Sequence, residues 1–177
     1  MNAEPFSHLL LARDIPAAGK RVRIAADESE LKPLAEALGI PAVAALSADL
    51  DIQPLASRGY RVRGRLEASV VQTDVVSLDP VAQVVVETID VTLLPEEGSR
   101  SRAPRDEILV DVGEEDGPDL FRNGRIDLGV IVREHLALGL DPYPRAPGTD
   151  FVGYVESDPA ADPSPFAALA AIRKTGE

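Results

Sequence analysis

The stretch AALSADLDIQPLASRGYRVRGRLEASVV, residues 44–71, decides the fold class. From Ala44 onward the even positions Leu46, Ala48, Leu50 and Ile52 are apolar, whereas Ser47, Asp49, Asp51 and Gln53 are polar. Successive side chains on a strand point to opposite faces, so this period of two predicts a half-buried strand. Pro54 and Gly59 bracket a turn. Beyond it Tyr60, Val62, Gly64, Leu66, Ala68 and Val70 line one face of a second strand, with Arg61, Arg63 and Arg65 on the other and Arg58 just before them. An antiparallel hairpin closed at this turn would set Asp49 and Asp51 opposite Arg63 and Arg61 as cross-strand ion pairs. Left exposed, the same arginine row would suit RNA phosphates or an acidic protein.

The sheet pattern extends outward from this hairpin. Residues 81–94 are the most β-branched run, and their alternation blurs at Val84, Val85 and Val86, as a bulge or burial on both faces would produce. Residues 95–105 read as a polar loop, residues 108–112 as a strand, residues 113–119 (GEEDGPD) as an acidic turn and Asn123-Gly124 as a hairpin tip. Toward the N-terminus, residues 6–15 and 22–24 form short extended pieces. Leu31, Leu34, Ala35 and Leu38 recur at helical spacing, with Gly39 as a stop. Two starts compete for this helix. Asp27 with Glu30 mimics a capping box but puts Pro33 in the interior, while Ser29 would leave Pro33 near the first turn.

A second helix opens at Asp127, a natural N-cap, and carries Leu128, Ile131, Val132 and Leu136 as one apolar stripe, with Gly139 near its end. From Asp141 to Pro165 the proline and acid content rises, which predicts an extended tail. Ser164-Pro165-Phe166 then opens a short helix running to Ile172. The expected architecture is α+β: an antiparallel sheet, open or barrel-like, with two packed helices and a short C-terminal helix on a Pro-rich tail. Residues 1–140 are expected to form one domain. Residues 141–177 are the tail, its helix docked on that domain or held ready for a partner's groove.

Composition restricts the chemistry. The chain has 177 residues, 45% hydrophobic but only 4% aromatic, so its core is built from Val, Leu, Ile and Ala. With no Cys, disulfides, thiolate catalysis and sulfur-ligated metal sites are excluded. The net charge of −12 repels polyanions at long range and is compatible with a basic protein partner. The first residues carry no basic leader, and no apolar run approaches bilayer-spanning length, so a soluble cytoplasmic protein is expected.

No reactive constellation is legible. Glu114, Glu115, Asp116 and Asp119 lack the spacing of a calcium loop. His8 and His135 are the only imidazoles; His135 follows Glu134 on a helix, which sets their side chains about 100° apart. Neither a nucleophile elbow nor a glycine-rich phosphate loop is present. The residues therefore describe a non-enzymatic binding protein with no cofactor. The competing alternative is a small metal-dependent hydrolase using Asp127, Glu134 and His135.

Three stretches carry a resemblance. GRLEASVVQTDVVSLDPV (residues 64–81) is similar to a strand, Cys-bearing turn and Leu-Glu/Asp-Pro sequel. GRIDLGVIVREHLALGLDPYPRAPG (residues 124–148) is similar to an Asp-Leu-Gly … Glu … Leu-Pro … Pro helix and exit, and SPFAALAAIRK (residues 164–174) to a terminal Pro-Phe-Ala-x-Leu segment. In this order they resemble the YceD family, the large ribosomal RNA subunit accumulation proteins, over roughly the C-terminal two-thirds of the chain. The resemblance implies a role in large-subunit ribosome biogenesis, with a large-subunit ribosomal protein or an assembly factor as partner and precursor rRNA as a second candidate. Many relatives carry cysteines at the turn after the second strand, where this chain has Gln72-Thr73-Asp74, so no thiolate role carries over. On the matched stretches Asp74, Asp79 and Pro80 are expected to shape the turn, Asp127 to cap its helix, and Phe166 and Leu169 to dock the tail. Glu134 and Arg145 are candidate partner contacts, with Arg61, Arg63 and Arg65 as the RNA option.

Overall fold

In chain order the elements are β1 (Leu9–Leu11), β2 (Lys20–Ala25), α1 (Glu28–Leu38), β3 (Ala42–Pro54), β4 (Tyr60–Thr73), β5 (Pro80–Pro95), β6 (Asp119–Phe121), β7 (Arg125–Asp127) and α2 (Leu128–Gly139), with one 3-10 turn at Ala12–Asp14. This computed structural model describes residues 5–56, 58–96 and 117–148. The expected strand at 108–112, most of the acidic turn, and the C-terminal helix with Phe166 and Leu169 lie outside the described residues.

The chain is α+β. Strands β2, β3, β4 and β5 form an antiparallel meander, and β6 adds to β5 in parallel, giving a five-stranded sheet in the order β2-β3-β4-β5-β6. The sheet is open; the barrel-like option is not adopted. A separate two-stranded sheet pairs β1 with β7. Asn123 and Gly124, at φ of 53° and 64°, make the tight turn before β7, closed by Arg125 N–H donating to the Arg122 carbonyl at 2.9 Å. The turn forms as the sequence indicates, but its two arms do not remain a hairpin. The arm before it joins β5 and the arm after it joins β1.

Both helices cover one face of the large sheet. The alternation on β3 and β4 buries Leu46, Leu50, Ile52, Val62, Leu66 and Val70 against Leu34 of α1 and Leu128, Val132 and Leu136 of α2. Burial of each such side chain contributes about 1.5–3 kcal/mol, which outweighs the modest helix propensities. Helix α1 starts at Asp27, not Ser29: the Asp27 carboxylate accepts from the backbone N–H of Ser29 and Glu30, and Glu30 returns a bond to the Asp27 N–H at 2.9 Å. The capping box therefore wins over keeping Pro33 out of the interior, where that proline is exposed. Gly39, at φ 68°, ends the helix.

β5 corrects another expectation. Its register against β4 runs unbroken from Tyr60↔Leu93 to Thr73↔Pro80, so no bulge is present. Nor is it buried on both faces. Val85 faces the core, and Val84 and Val86 are 67% and 41% exposed. The bulge lies instead in β3, between Val43 and Ala45.

Candidate functional site

The uncovered face of the sheet carries the arginines in rows that cross four strands. One row runs Arg21–Asp51–Arg63–Asp90, and the next Arg23–Asp49–Arg65–Thr88, each neighbour directly opposite the last. The β3–β4 turn sets this register: Leu55 N–H donates to the Gly59 carbonyl at 2.8 Å and Pro54 pairs with Tyr60. The pairing read from sequence is therefore off by two residues. Asp51 faces Arg63 and Asp49 faces Arg65, while Arg61 faces Gln53. A slip of two leaves every side chain on its face and changes every partner.

The tight partner of the arginines is Asp90, on the other side of β4. Arg61 grips its carboxylate with both Nε and Nη2, at 2.7 and 3.0 Å, and Arg63 Nε adds a contact at 3.2 Å. Donation from Arg61, reinforced by the charge of both guanidinium groups, holds the Asp90 carboxyl below the usual aspartate range. Asp51 and Asp49 are turned toward β2 and sit 3.7 and 3.9 Å from Arg21 and Arg23. Arg65 is exposed and has no ion pair within 4 Å among the described residues. A shallow groove of about 590 Å³ follows the first row, lined by Arg21, Arg23, Asp49, Asp51 and Arg63. Gly64 lies at its floor, where a Cβ would collide with the Asp49 carbonyl oxygen.

The second construction is the β4–β5 turn. Asp74 is 0% exposed. Its Oδ1 accepts from Val76 and Ser77 N–H at 2.7 and 2.9 Å, and its Oδ2 accepts from Ala146 N–H at 2.6 Å. Asp74 N–H also donates to the Asp79 carbonyl, and Val75 N–H to the Pro144 carbonyl. One buried carboxylate thus closes its own turn and ties the segment around Ala146 to it. Gln72, 7% exposed, assists by donating Nε2 to the Asp141 carbonyl at 2.8 Å, while its Oε1 has no partner among the described residues. Asp79 and Pro80 are exposed at the turn, and Arg145 is exposed beyond it.

The third is the junction before α2. Asp127 caps the helix by accepting from Gly129 and Val130 N–H, and the same carboxylate accepts from His8 N–H at 2.8 Å and from the Ser7 hydroxyl. Leu128 N–H returns a bond to the His8 carbonyl. Leu128 is buried, and a Cβ on Gly129 would strike the Phe6 carbonyl oxygen. Asp-Leu-Gly is therefore a docking device for the N-terminal segment: charge, apolar plug and backbone clearance in three successive residues.

The hydrolase arrangement is not assembled. Asp127 is occupied by backbone and hydroxyl donors. Glu134 shares a groove of about 490 Å³ with it, which His135 does not line. His135 Nδ1 sits 2.9 Å from the Ile131 carbonyl on its own helix. Among the described residues no group of three or more His, Asp or Glu could hold a metal.

A family model described as large ribosomal RNA subunit accumulation protein YceD matches residues 62–173. The chain belongs to the YceD family. No curated protein and no solved structure matches it. The YceD match begins in β4 and takes in β5, the Asp74 turn, β7 and α2, so the Asp74 construction falls wholly within it and the Asp127 junction by its Asp-Leu-Gly half. Arg63, Arg65 and Asp90 fall inside as well, and Arg61 stands one residue before it. The family's description ties the chain to ribosome biogenesis and names no enzymatic activity. No helix among the described residues is long and apolar enough to cross a membrane.

Sequence reasoning missed Asp90, Gly129 and Gln72. Asp90 was legible only as one polar position on a β-branched strand. Gly129 stood in a recognisable motif, but the backbone it clears is 123 positions upstream, from Phe6 to Gly129.

Proposed function

We propose that this chain is a non-enzymatic, cytoplasmic assembly factor that supports accumulation of large-subunit ribosomal RNA by binding a basic large-subunit ribosomal protein or a fellow assembly factor. The observation that carries this reading is the state of its arginines. Arg61 and Arg63 are engaged with Asp90, and Arg21 and Arg23 stand beside Asp51 and Asp49. A face whose cations are already paired has little to offer phosphates, which must displace those carboxylates, and the chain's charge of −12 opposes the approach. The same charge speeds encounter with a basic protein.

A second reading, direct contact with precursor rRNA, is favoured by Arg65, exposed and without an acidic partner within 4 Å among the described residues. One experiment separates the two. The purified full chain is titrated against naked large-subunit rRNA and, separately, against salt-extracted large-subunit ribosomal proteins, each at low and high salt. The expected result is binding to the protein fraction and weak binding to RNA. Tight, salt-sensitive binding of RNA that charge reversal of Arg61, Arg63 and Arg65 abolishes would establish the second reading instead.

A further inference from the structure

We infer that the edge of β5 over residues 80–92, unpaired among the described residues, is a docking site for an extended segment of a basic protein, which adds to the sheet as a further strand. This deepens the protein-binding reading above and rests on it.

The two edges of the sheet are built differently. The β2 edge is six residues long, KRVRIA, and carries Lys20, Arg21 and Arg23. Short length and cationic side chains are the usual protection of an edge strand against pairing with another chain. The β5 edge has neither. β6 covers it only at Leu93, Leu94 and Pro95, and residues 80–92 pair with no further strand among the described residues. Over residues 81–92 there is no Lys, Arg or Pro, and the register against β4 is regular throughout. A strand of this kind presents outward N–H and C=O groups in a straight row, which is the template for strand addition.

Side chains on both faces shape the occupant. Val84 and Val86, 67% and 41% exposed on the uncovered face, offer apolar contact to alternate residues of an added strand. Over residues 81–92 both ionisable side chains of β5, Glu87 and Asp90, are carboxylates, and Glu67 stands directly opposite Val86 on β4. Further along β4, Arg65, Arg63 and Arg61 lie opposite Thr88, Asp90 and Thr92, and Asp90 is held by Arg61 and Arg63. The acidic stretch of the edge is therefore the one around Val84, Val86 and Glu87. The occupant that fits is therefore an extended segment that alternates apolar and cationic residues. A second copy of this chain fits poorly. Two β5 edges would bring the same carboxylates together, and each chain carries −12.

The test is amide hydrogen exchange on the full chain, alone and with salt-extracted large-subunit ribosomal proteins as the probe. In the free chain every second amide of residues 81–92 exchanges fast, because alternate N–H groups point away from β4. With the protein fraction those amides slow at least tenfold, and the double variant V84K/V86K, which places edge-protecting lysines at two exposed positions, weakens binding at least tenfold without changing the melting transition. Binding of the fraction with no slowing along β5 overturns the edge proposal and leaves the proposed function standing. Failure of the fraction to bind overturns both. Slow exchange of these amides in the isolated chain, whether monomeric or dimeric by sedimentation, shows the edge already covered and overturns the proposal too.

Discussion

Replacing Asp74 tests how one buried carboxylate organises the matched region. In Asp74→Ala three backbone donors lose their acceptor: Val76, Ser77 and Ala146. Hydrogen bonds to a charged group contribute about 1.5–3 kcal/mol each. Ser77 is exposed and water replaces its bond at little cost, whereas Val76 and Ala146 are half-buried. The two remaining bonds give an expected loss of about 3–5 kcal/mol, read by urea denaturation followed by circular dichroism. At about 2–4 °C per kcal/mol for a chain of this size, the melting temperature falls by roughly 10 °C. Asp74→Asn separates the two halves of the device. Its amide oxygen still accepts from Val76 and Ser77, but its NH2 group meets the Ala146 N–H, donor against donor. The loss should be about 2 kcal/mol, with exchange accelerated at Ala146 far more than at Val76. The reasoning is refuted if Asp74→Ala stays within about 0.5 kcal/mol of the parent, or if Asp74→Asn leaves exchange at Ala146 unchanged.

Gly129→Ala should destabilise by about 1–3 kcal/mol through overpacking against the Phe6 carbonyl, and limited proteolysis should then release the N-terminal segment before α2 unfolds; resistance equal to the parent would show that the backbone relaxes freely. Asp127→Ala removes a cap and the tether to His8 together, so the loss should exceed the roughly 1 kcal/mol of an ordinary cap, measured by chemical denaturation with exchange at His8 as a local report. Asp90→Asn should cost under about 1 kcal/mol at neutral pH, because its ion pairs are partly exposed and screened. The sign follows from its lowered carboxyl pKa in the folded state. The contribution is present above the ordinary aspartate value of about 3.9 and disappears as pH falls through the depressed folded value. Denaturation curves of parent and variant should therefore converge as pH falls below the ordinary aspartate range and through the depressed folded value, and also in high salt; a gap that persists in acid would mean the loss is packing, not charge.

The helices and long strands were legible because their signals are local. Alternation on residues 44–53 and 60–70, the apolar stripe after Asp127 and the glycine after Leu38 each depend on backbone geometry within a few residues. The family was legible for a related reason, since its ordered stretches keep their residue types whatever surrounds them. Partners were not legible. The Asp49–Arg63 pairing failed because register depends on how one turn closes, and a shift of two preserves the periodic pattern that sequence reasoning relies on.

By itself, then, the order of residues determined an α+β chain with charged and apolar faces of the right period, two capped helices and the ribosome-linked family. Only the tertiary structure decided that Asp90 holds the arginines, that Asp74 reaches 72 positions to Ala146, and that the arms of the Asn123-Gly124 turn enter different sheets. The physical reason is the range of the forces at work. Capping and periodicity act within a turn or two of the chain, whereas ion pairs, strand registers and close backbone approaches are settled between segments that meet only when the core is buried.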